Sequence, residues 1–284
     1  MLQVATPLIS KLSATGNDFL IIEVDTPLLE DQWKAAFSKW PRARVAQRLC
    51  NRFDGIGADG MLFMHASREA DWGWEFYNQD GSHAEMCGNA ARCAGLWAAR
   101  QAGEWRHFTF KTPAGIVSAQ RLSERRIEVT MPKVQVIAEK LKLNVQGQEV
   151  SIDWLNSGVP HALVTSPTLD PTPQLKAWAA ELRHHSHFGK SGANVTFVVH
   201  GGKSLVSTMT FERGVEDFTR SCGTGAVAAA FRHGRAEIQT HINVEVLGGR
   251  LEVDLSHEQP RLIGPAHWVA DCQVHVHDDG VLVP

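Results

Sequence analysis

Apolar and polar positions divide the chain into two successive stretches, and each stretch mixes strand-like with helical segments. In the first stretch, the strand-like segments are residues 19–22, 61–64, 74–78, 108–110 and 127–129, and the helical ones are 33–49 and 86–103. In the second stretch, the strand-like segments are residues 161–164, 194–199, 204–211, 242–246 and 251–255, and the helical ones are 174–182 and 221–234. The pattern predicts two halves of mixed secondary structure. Pro132 follows the last strand of the first stretch and marks the region where the chain crosses between them.

The size and charge of the chain limit the classes of protein to which it can belong. It has 284 residues, of which 43% are hydrophobic, and at roughly 100–200 residues per domain this is enough for two domains. Its formal net charge is -3, with acidic and basic residues intermixed, so nucleic acids and anionic membranes are not expected partners. The N-terminal segment does not resemble a signal peptide, and no run approaches the ~18 apolar residues of a membrane span. We therefore expect a cytoplasmic protein, and small anionic or zwitterionic ligands remain open.

A glycine-rich segment at residues 55–60 (GIGADG) matches the GxGxxG expression of dinucleotide-binding sites. Such a site needs a strand before the glycines and a helix after them, so that the helix N terminus meets the pyrophosphate. Here the predicted helix comes first and the predicted strand follows. We therefore interpret the segment as a turn.

The cysteines are the residues most suggestive of chemistry. Because there are five of them, widely scattered and without a CxxC pair, a disulfide framework and a structural zinc site are both unexpected; they are Cys50, Cys87, Cys93, Cys222 and Cys272. Two share a local pattern, since MCGNAARCAGLWAA and SCGTGAVAAAFRHG each open an alanine-rich helix with Cys-Gly. A turn precedes each helix, and an asparagine stands beside an earlier strand in each half, Asn17 and Asn194. The repeat indicates two homologous halves, each with one cysteine at a helix N terminus.

A cysteine at a helix N terminus lies where an anion is favoured. The first N–H groups of a helix have no acceptor within it, and with the aligned peptide dipoles they favour an anion by roughly 0.3–1 kcal/mol. The thiol pKa falls below its free value of ~8.5, and the same N–H groups bind carboxylates. A single cysteine of this kind is usually a small buried hydrophobe, but the pattern occurs twice. We therefore expect chemistry at Cys87 and Cys222 and assign the other three to packing.

The motifs around these cysteines occur in the order known from one family. The matching blocks are GNDF (16–19), GIGADG (55–60), FYNQDGSHAEMCGNAARC (76–93), PHALV (160–164), GANVTFV (192–198), FERGV (211–215), SCGTGA (221–226) and GGRLEV (248–253). They span nearly the whole chain, and in combination they resemble the diaminopimelate epimerase family. The resemblance implies an α/β (α+β) fold of two pseudo-symmetric halves, each a curved, mostly antiparallel sheet wrapped around a central helix. The implied halves are 1–121 with about 268–284, carrying Cys87, and 122–267, carrying Cys222, with the active site in the cleft between them.

The resemblance also implies a mechanism and its residues. One cysteine, as thiolate, takes the α-proton of an amino acid, and the other, as thiol, protonates the opposite face. Cys87 and Cys222 match these two bases, and no pyridoxal phosphate, metal or other cofactor is expected. The matching substrate contacts are the N–H groups of Gly88, Asn89, Gly223 and Thr224 for the α-carboxylate, Asn78 and Glu212 for the α-ammonium, and Asn17, Asn194 and Arg213 for the far end. His161 and Glu212 match residues that help to set the protonation of the cysteines. A homodimer is common in the family, although no residue pattern here fixes the oligomeric state.

Two departures from the family pattern bear on the substrate. Where many members have an asparagine before Pro-His, this chain has Val159, which can make no hydrogen bond to the far end of diaminopimelate. Ala90 replaces the usual glycine of the first cysteine motif, a mild change in a helix. A histidine cluster at 184–187 resembles a polar family loop, and metal binding there has no supporting carboxylate or cysteine. Two alternatives stay open: a racemase of the same fold for another amino acid, such as histidine, and a non-catalytic relative that binds a metabolite.

Overall fold

The computed structural model describes residues 8–24, 40–104, 106–276 and 282–283. Its helices are α1 (Arg42–Cys50), α2 (Gly88–Ala102), α3 (Pro173–Arg183) and α4 (Gly223–Glu237), with a 3-10 helix at Ser186–Phe188. Strands β1 to β10 are Leu8–Ala14, Asn17–Glu23, Gly60–His65, Trp72–Asn78, His83–Ala84, His107–Thr112, Gly115–Arg121, Arg126–Thr130, Gln135–Val145 and Gln148–Asn156. Strands β11 to β20 are Pro160–Thr165, Asn194–Gly202, Leu205–Glu212, Asp217–Phe218, His241–Val246, Gly249–Asp254, Arg261–Pro265, His267–Gln273, His275–Val276 and Leu282–Val283. Of the helix predicted at 33–49, residues 33–39 lie outside the described residues.

The chain forms two compact units, which we call unit 1 (Met1–Ile127 with Pro265–Pro284) and unit 2 (Glu128–Gly264). The sequence places the domain boundaries between residues 121 and 122 and at about residue 268. These boundaries stay predictions.

In unit 1, a mixed sheet surrounds one helix. Strand β1 pairs antiparallel with β18 and with β2, β2 pairs parallel with β3, and β3 pairs antiparallel with β4. Strand β4 then pairs antiparallel with β5 and parallel with β6, which pairs antiparallel with β7. The parallel pairs need crossover connections, and α1 and α2 lie in those connections. Helix α2 contacts β1, β2, β6, β7 and β18, so the sheet wraps around it.

Unit 2 repeats this order strand for strand. Strand β10 pairs antiparallel with β9 and β11, β11 pairs parallel with β12, and β12 pairs antiparallel with β13. Strand β13 pairs antiparallel with β14 and parallel with β15, and β15 pairs antiparallel with β16. Helix α4 contacts β11, β12, β13, β15 and β16. The predicted fold of two pseudo-symmetric halves, each a mostly antiparallel sheet around a central helix, is confirmed.

The central helices are buried because their side chains are small. Every residue of α2 from Gly88 to Ala99 is buried, and α4 is buried along most of its length. A helix that is apolar on all sides belongs in the interior, where short side chains let strands approach closely. At Gly95, an added Cβ would come within 2.8 Å of the Ala119 Cβ, which shows how near the sheet lies. The Cys-Gly pairs are thus held at fixed positions inside each unit.

The GIGADG segment lies between α1 and β3, in the order helix, turn, strand. The interpretation of this segment as a turn is therefore confirmed. Among the helices in the described part of the chain, none combines the length and apolar character needed to cross a membrane.

The strand registers correct one equivalence suggested by the sequence. His161 pairs with Asn194 where β11 meets β12, and Phe19 pairs with Gly60 where β2 meets β3. Asn194 is therefore the counterpart of Gly60, not of Asn17. The sequence suggested that the two asparagines are equivalent, and this is wrong. Asn17 begins β2, whereas Asn194 begins β12, which is the counterpart of β3.

Candidate active site

Each candidate cysteine is the residue immediately before a central helix. Cys87 and Cys222 are the N-caps of α2 and α4, both in extended conformation, and the two helices have 15 residues each. Neither cysteine side chain makes a capping hydrogen bond, and neither helix has an acidic residue in its first turn. Both helices therefore present the positive end of their dipole without a carboxylate in the first turn to offset it. Cys87 is half-buried and Cys222 is buried.

In unit 1, a chain of hydrogen bonds links Asn17 to the start of α2. The Asn89 amide donates to the Asn17 Oδ1 at 3.1 Å, and the Asn17 amide donates to Asp59. The Asn89 Oδ1 in turn accepts from the Arg92 guanidinium at 2.7 Å. Because Arg92 can only donate and an ionised Asp59 can only accept, both asparagine amides are fixed in one orientation. Among the described residues, the Asn17 oxygen and one N–H are engaged, which leaves the second N–H as a donor for a ligand.

Charged residues hold Asp59 in place behind Asn17. The Arg52 guanidinium donates to Asp59 at 2.6 Å and to Asp18 at 2.7 Å, and Lys11 lies 3.3 Å from Asp18. The Asp59 N–H donates to the Asp18 carboxylate at 3.1 Å. Burial raises the pKa of Asp18, but Arg52 and Lys11 together hold it below its ordinary value. The Asp18 carboxylate is therefore held ionised behind Asn17.

Asn78 ends β4 and turns the chain toward Cys87. Its amide donates to the Ser82 Oγ at 2.9 Å, and its backbone N–H donates to the Ser82 carbonyl at 2.9 Å. Glu212 ends β13 in the same place in unit 2, and its carboxylate accepts from the Thr219 hydroxyl. The two residues expected to bind the α-ammonium are therefore counterparts in the repeat.

In unit 2, a buried hydrogen-bond network links His161 to Cys222. His161 Nδ1 lies 2.9 Å from the Thr196 Oγ1, and His161 Nε2 lies 2.9 Å from the Thr224 Oγ1. The Thr224 Oγ1 is 3.5 Å from the Cys222 Sγ. His161 is fully buried, and burial together with the charge of Arg213 lowers its pKa to about 3. The imidazole is therefore neutral at physiological pH and can exchange a hydrogen bond with the threonine beside Cys222.

Asn194 joins the same network to the loop after β13. Its Oδ1 accepts from the Arg213 backbone N–H at 2.8 Å, and its amide lies 3.4 Å from the His161 Nε2. The Glu216 carboxylate holds this loop in place, because it accepts from the buried Arg183 at 3.0 Å and from the Gly214 N–H at 3.2 Å. The structure thus joins His161, Asn194, Thr224 and Cys222 to the backbone of Arg213, whose side chain is exposed. Glu212 is bonded separately, to Thr219.

The two departures from the family pattern have clear structural settings. Val159 is half-buried in the turn before β11, where the Ser157 hydroxyl donates to the Thr224 carbonyl at 2.8 Å.

Ala90 and Gly225 are counterparts three residues after each cysteine. Ala90 is accommodated in the core, but a Cβ at Gly225 would lie 2.7 Å from the Thr210 Oγ1 and 3.2 Å from the His161 Cε1. Glycine is therefore needed only in unit 2, which explains why Ala90 is tolerated.

The remaining candidates take structural positions. Cys50 and Cys93 are fully buried, and burial raises the pKa of each thiol, that of Cys50 to about 12. His184 lies 3.2 Å from Glu216, and His187 packs against Trp154. Within the described residues, no three His, Cys, Asp or Glu side chains are grouped so as to hold a metal ion.

Sequence reasoning missed four residues that support the site: Asp59, Arg92, Thr196 and Arg183. Arg92 had a signal in the sequence, because Ala90, Ala91, Cys93 and Ala94 on either side of it are small, apolar residues typical of a buried helix. The others are bonded to residues distant in sequence, and no local pattern reveals such pairings.

Solved structures of low sequence identity share this fold. A hydroxyproline epimerase from Agrobacterium vitis, with bound trans-4-OH-L-proline, has a TM-score of 0.69 and 17% identity, covering 96% of this chain and 93% of that chain. A PhzF-family phenazine biosynthesis protein from Bacillus anthracis has a TM-score of 0.68 and 15% identity, covering 95% and 99%. At these identities the likeness concerns the fold alone.

Closer relatives define the class, an isomerase that epimerises or racemises an amino acid. A diaminopimelate epimerase from Methanothrix thermoacetophila is 37% identical over 287 residues, which cover 95% of each chain. One from Flavobacterium psychrophilum is 32% identical and covers 93% of this chain and 98% of that protein. The diaminopimelate epimerase family model matches residues 9–137 and 154–269. The chain therefore belongs to the diaminopimelate epimerase family.

Proposed function

We propose that this protein interconverts LL- and meso-diaminopimelate by a two-cysteine acid–base mechanism, in lysine and peptidoglycan biosynthesis. The observation that carries the proposal is the repeated arrangement of Cys87 and Cys222. Each caps an equivalent central helix whose first turn lacks an acid. Such helix ends suit a carboxylate and a thiolate, the two anions that this reaction requires.

In this mechanism, each cysteine serves one face of the substrate α-carbon. A thiolate removes the α-proton and becomes a thiol, and the opposite thiol gives its proton to the other face and becomes a thiolate. The N–H groups of Gly88, Asn89, Gly223 and Thr224 bind the α-carboxylate, where charge develops as the proton leaves. Asn78 and Glu212 accept from the α-ammonium.

The far end of the substrate is assigned to Asn17, Asn194 and Arg213. The Asn17 amide keeps one N–H to donate, and Arg213 supplies a cation, so both favour a carboxylate there. This supports an amino acid with a second zwitterionic end. The cytoplasmic location and the homodimer stay predictions.

A racemase for another amino acid is the second candidate, and Val159 is the observation that favours it. Its half-buried side chain is apolar in the turn before β11, where many family members have a polar one. A non-catalytic, metabolite-binding relative is the third candidate, and the presence of both cysteines argues against it.

The test is exchange of the α-proton in deuterated water, followed by NMR or mass spectrometry. LL-diaminopimelate is compared with a panel of single amino acids that includes histidine. We expect exchange and inversion with diaminopimelate. Exchange only with a monocarboxylic amino acid, and not with diaminopimelate, would favour the racemase. No exchange with any of these amino acids would favour the binding protein.

A further inference from the structure

Asn194 and Arg213, the unit 2 residues assigned to the far end of the substrate, stand on two segments that are bonded to each other. Asn194 begins β12, and Arg213 directly follows β13. The Asn194 Oδ1 accepts from the Arg213 backbone N–H at 2.8 Å. Their relative position therefore depends on the contacts that hold each segment, and Arg183 makes contacts to both.

Arg183 is a buried cation with two acceptors. It is the last residue of α3, and its side chain is only 7% exposed. Its Nη1 donates to the Ser191 carbonyl at 3.0 Å, and its Nη2 donates to the Glu216 carboxylate at 3.0 Å. Its buried Nε has no acceptor among the described residues. Because a buried cation is costly without an opposite charge, the guanidinium depends on Glu216.

The segment that leads into β12 is held by the side chain and by the backbone of Arg183. The Arg183 carbonyl accepts from the Ala193 N–H at 3.2 Å, immediately before Asn194. Gly192 has φ +64°, and an added Cβ there would lie 2.1 Å from the Arg183 Nη1 and 2.2 Å from its carbonyl oxygen. Glycine is therefore required at this position for the arginine to approach so closely.

Glu216 holds the turn that carries Arg213. Its Oε1 accepts from the Gly214 N–H at 3.2 Å, its own N–H donates to the Glu212 carbonyl at 2.8 Å, and its Oε2 lies 3.2 Å from the His184 Nε2. Its φ of 55° lies in the left-handed region, which is uncommon for a residue other than glycine. Such a conformation persists where the surrounding contacts fix it. The turn is therefore held by the carboxylate and its partners.

These contacts form a closed network in unit 2. Burial raises the pKa of the Glu216 carboxyl, but the Gly214 N–H and Arg183 hold it below its ordinary value. The ionised carboxylate accepts from the guanidinium and from the turn at the same time. The network runs from Arg183 through Glu216 to the turn, from the Arg213 N–H to Asn194, and back along the chain to Arg183.

Unit 1 holds the equivalent turn in another way. There α1 takes the place of α3, and the turn after β4 takes the place of the turn after β13. The Gln47 amide of α1 donates to the Asp80 carbonyl in that turn. This contact joins two uncharged groups, whereas the contact in unit 2 is an ion pair with a buried arginine. The ion pair thus belongs to the unit that carries Arg213.

We propose that Arg183 is a positioning residue that fixes Asn194 and Arg213 relative to each other, and thereby sets the affinity of the site for a substrate with a far carboxylate. This rests on the proposed function and adds what holds its far-end residues in place. No bond changes at the far end during the reaction. Contacts there act equally on the substrate and the transition state, so their loss raises KM more than it lowers kcat.

The first measurement needs no substrate. Hydrogen–deuterium exchange, resolved by mass spectrometry to the amides of residues 213–216, is compared between the unaltered protein and its variants. Glu216→Ala removes the acceptor of Arg183 and of the Gly214 N–H at a partly exposed position. We expect these amides to exchange at least about 10-fold faster in this variant, since a charge-assisted hydrogen bond is lost. Glu216→Gln, which keeps an acceptor oxygen, should restore part of the protection.

Asp217→Ala is the matched control. Asp217 is the adjacent acid, it pairs with Lys176 of the same helix at 2.5 Å, and both side chains are about half exposed. It accepts from the Phe218 N–H, which lies outside the turn. This variant should leave exchange at residues 213–216 unchanged. Equal exchange in Glu216→Ala and Asp217→Ala would overturn the proposal.

Arg183 itself is tested by a double-mutant cycle. Arg183→Met removes the cation and should also speed exchange at residues 213–216. Because the two residues act through one contact, the double variant with Glu216→Ala should exchange more slowly than the product of the two single effects predicts. Effects that multiply would show that the residues act independently, and would overturn the proposal. If Arg183→Met does not fold, the comparison of Glu216→Ala with Asp217→Ala decides the question.

Steady-state kinetics with LL-diaminopimelate test the connection to the substrate. In Glu216→Ala, KM should rise by about 10-fold or more with kcat within about 3-fold of the unaltered value, and Asp217→Ala should keep both constants. Faster amide exchange with an unchanged KM would overturn the assignment to the far end. If the unaltered protein does not act on diaminopimelate, the proposed function fails, whereas the amide exchange still decides whether Arg183 and Glu216 hold the turn.

Discussion

Val159 occupies in unit 2 the position that Asn17 occupies in unit 1. Each lies two residues before the first pair of the parallel strands, which is His161 with Asn194 in one unit and Phe19 with Gly60 in the other. The Asn17 amide is fixed between Asn89 and Asp59 and offers one donor. Val159 offers none. The repeat is therefore broken at the residue that the family assigns to the far end of the substrate.

Restoring the polar residue should improve binding of diaminopimelate. In Val159→Asn, we expect KM for LL-diaminopimelate to fall by about 3- to 30-fold, which corresponds to one hydrogen bond, with kcat changed little. Steady-state kinetics of the forward reaction would measure both constants.

Val159→Ala is the control for this substitution, because it shortens the side chain without adding a polar group. An equal fall in KM with alanine would assign the effect to space. A loss of affinity in Val159→Asn would mean that the native substrate has an apolar group there.

The cysteine pair can be tested by single substitutions. Cys87→Ser and Cys222→Ser should each lower the rate of epimerisation by about 10²–10⁴-fold, because each face of the α-carbon needs its own acid or base. Cys93→Ala should retain most of the activity, since its thiol is buried in the core. Substantial epimerisation in either serine variant would show that one cysteine serves both faces.

The sequence was sufficient to predict the two central helices and the residues before them. Their alanine-rich composition and the repeated Cys-Gly made α2 and α4 visible without any knowledge of their neighbours. Strands β7, β9 and β18 were not predicted, because polar and exposed residues interrupt the apolar positions along them. Their existence depends on pairing with distant strands, such as β18 with β1, which no local pattern contains.

The candidate site was predictable in its residues but not in its connections. Asn17 and Asn194 were candidates from the sequence, and their assignment to the site stays a prediction. Their suggested equivalence was wrong, because the strand registers pair His161 with Asn194 and Phe19 with Gly60. Arg92 was overlooked because an arginine in a helix usually faces solvent. The small residues on either side of this arginine were the local signal that it is buried, as the packing of α2 shows.

The third residues after the two cysteines, Gly225 in unit 2 and Ala90 in unit 1, should differ in how well they tolerate a Cβ methyl group. In Gly225→Ala, the new Cβ would lie 2.7 Å from the Thr210 Oγ1 and 3.0 Å from the Thr196 Oγ1. We expect a loss of about 1–3 kcal/mol in the free energy of unfolding, as for other overpacked cores, and a fall in kcat as His161 shifts. Urea denaturation and steady-state kinetics would measure these effects.

Ala90→Gly is the matched change in unit 1, and it should cost about 0.5–1 kcal/mol through the flexibility of glycine in a helix. Its kcat should be close to that of the unaltered protein. If Gly225→Ala were as stable as Ala90→Gly and equally active, the close approach between α4 and the threonines would not be required.

His161 should make the protein less stable in acid. Its pKa is lowered to about 3 in the folded state by burial and by Arg213, whereas the unfolded chain binds the same proton near pH ~6.5. The unfolded state therefore gains protons first as the pH falls, and stability is lost through the window from pH ~6.5 down to about 3. In urea denaturation between pH 7 and 4.5, His161→Gln should remove about 1 kcal/mol per pH unit from the slope. His267→Gln, which alters an exposed histidine, is the control. Equal slopes for His161→Gln and the unaltered protein would mean that this histidine is charged in the folded state, and its role as a neutral partner of Thr224 would have to be abandoned.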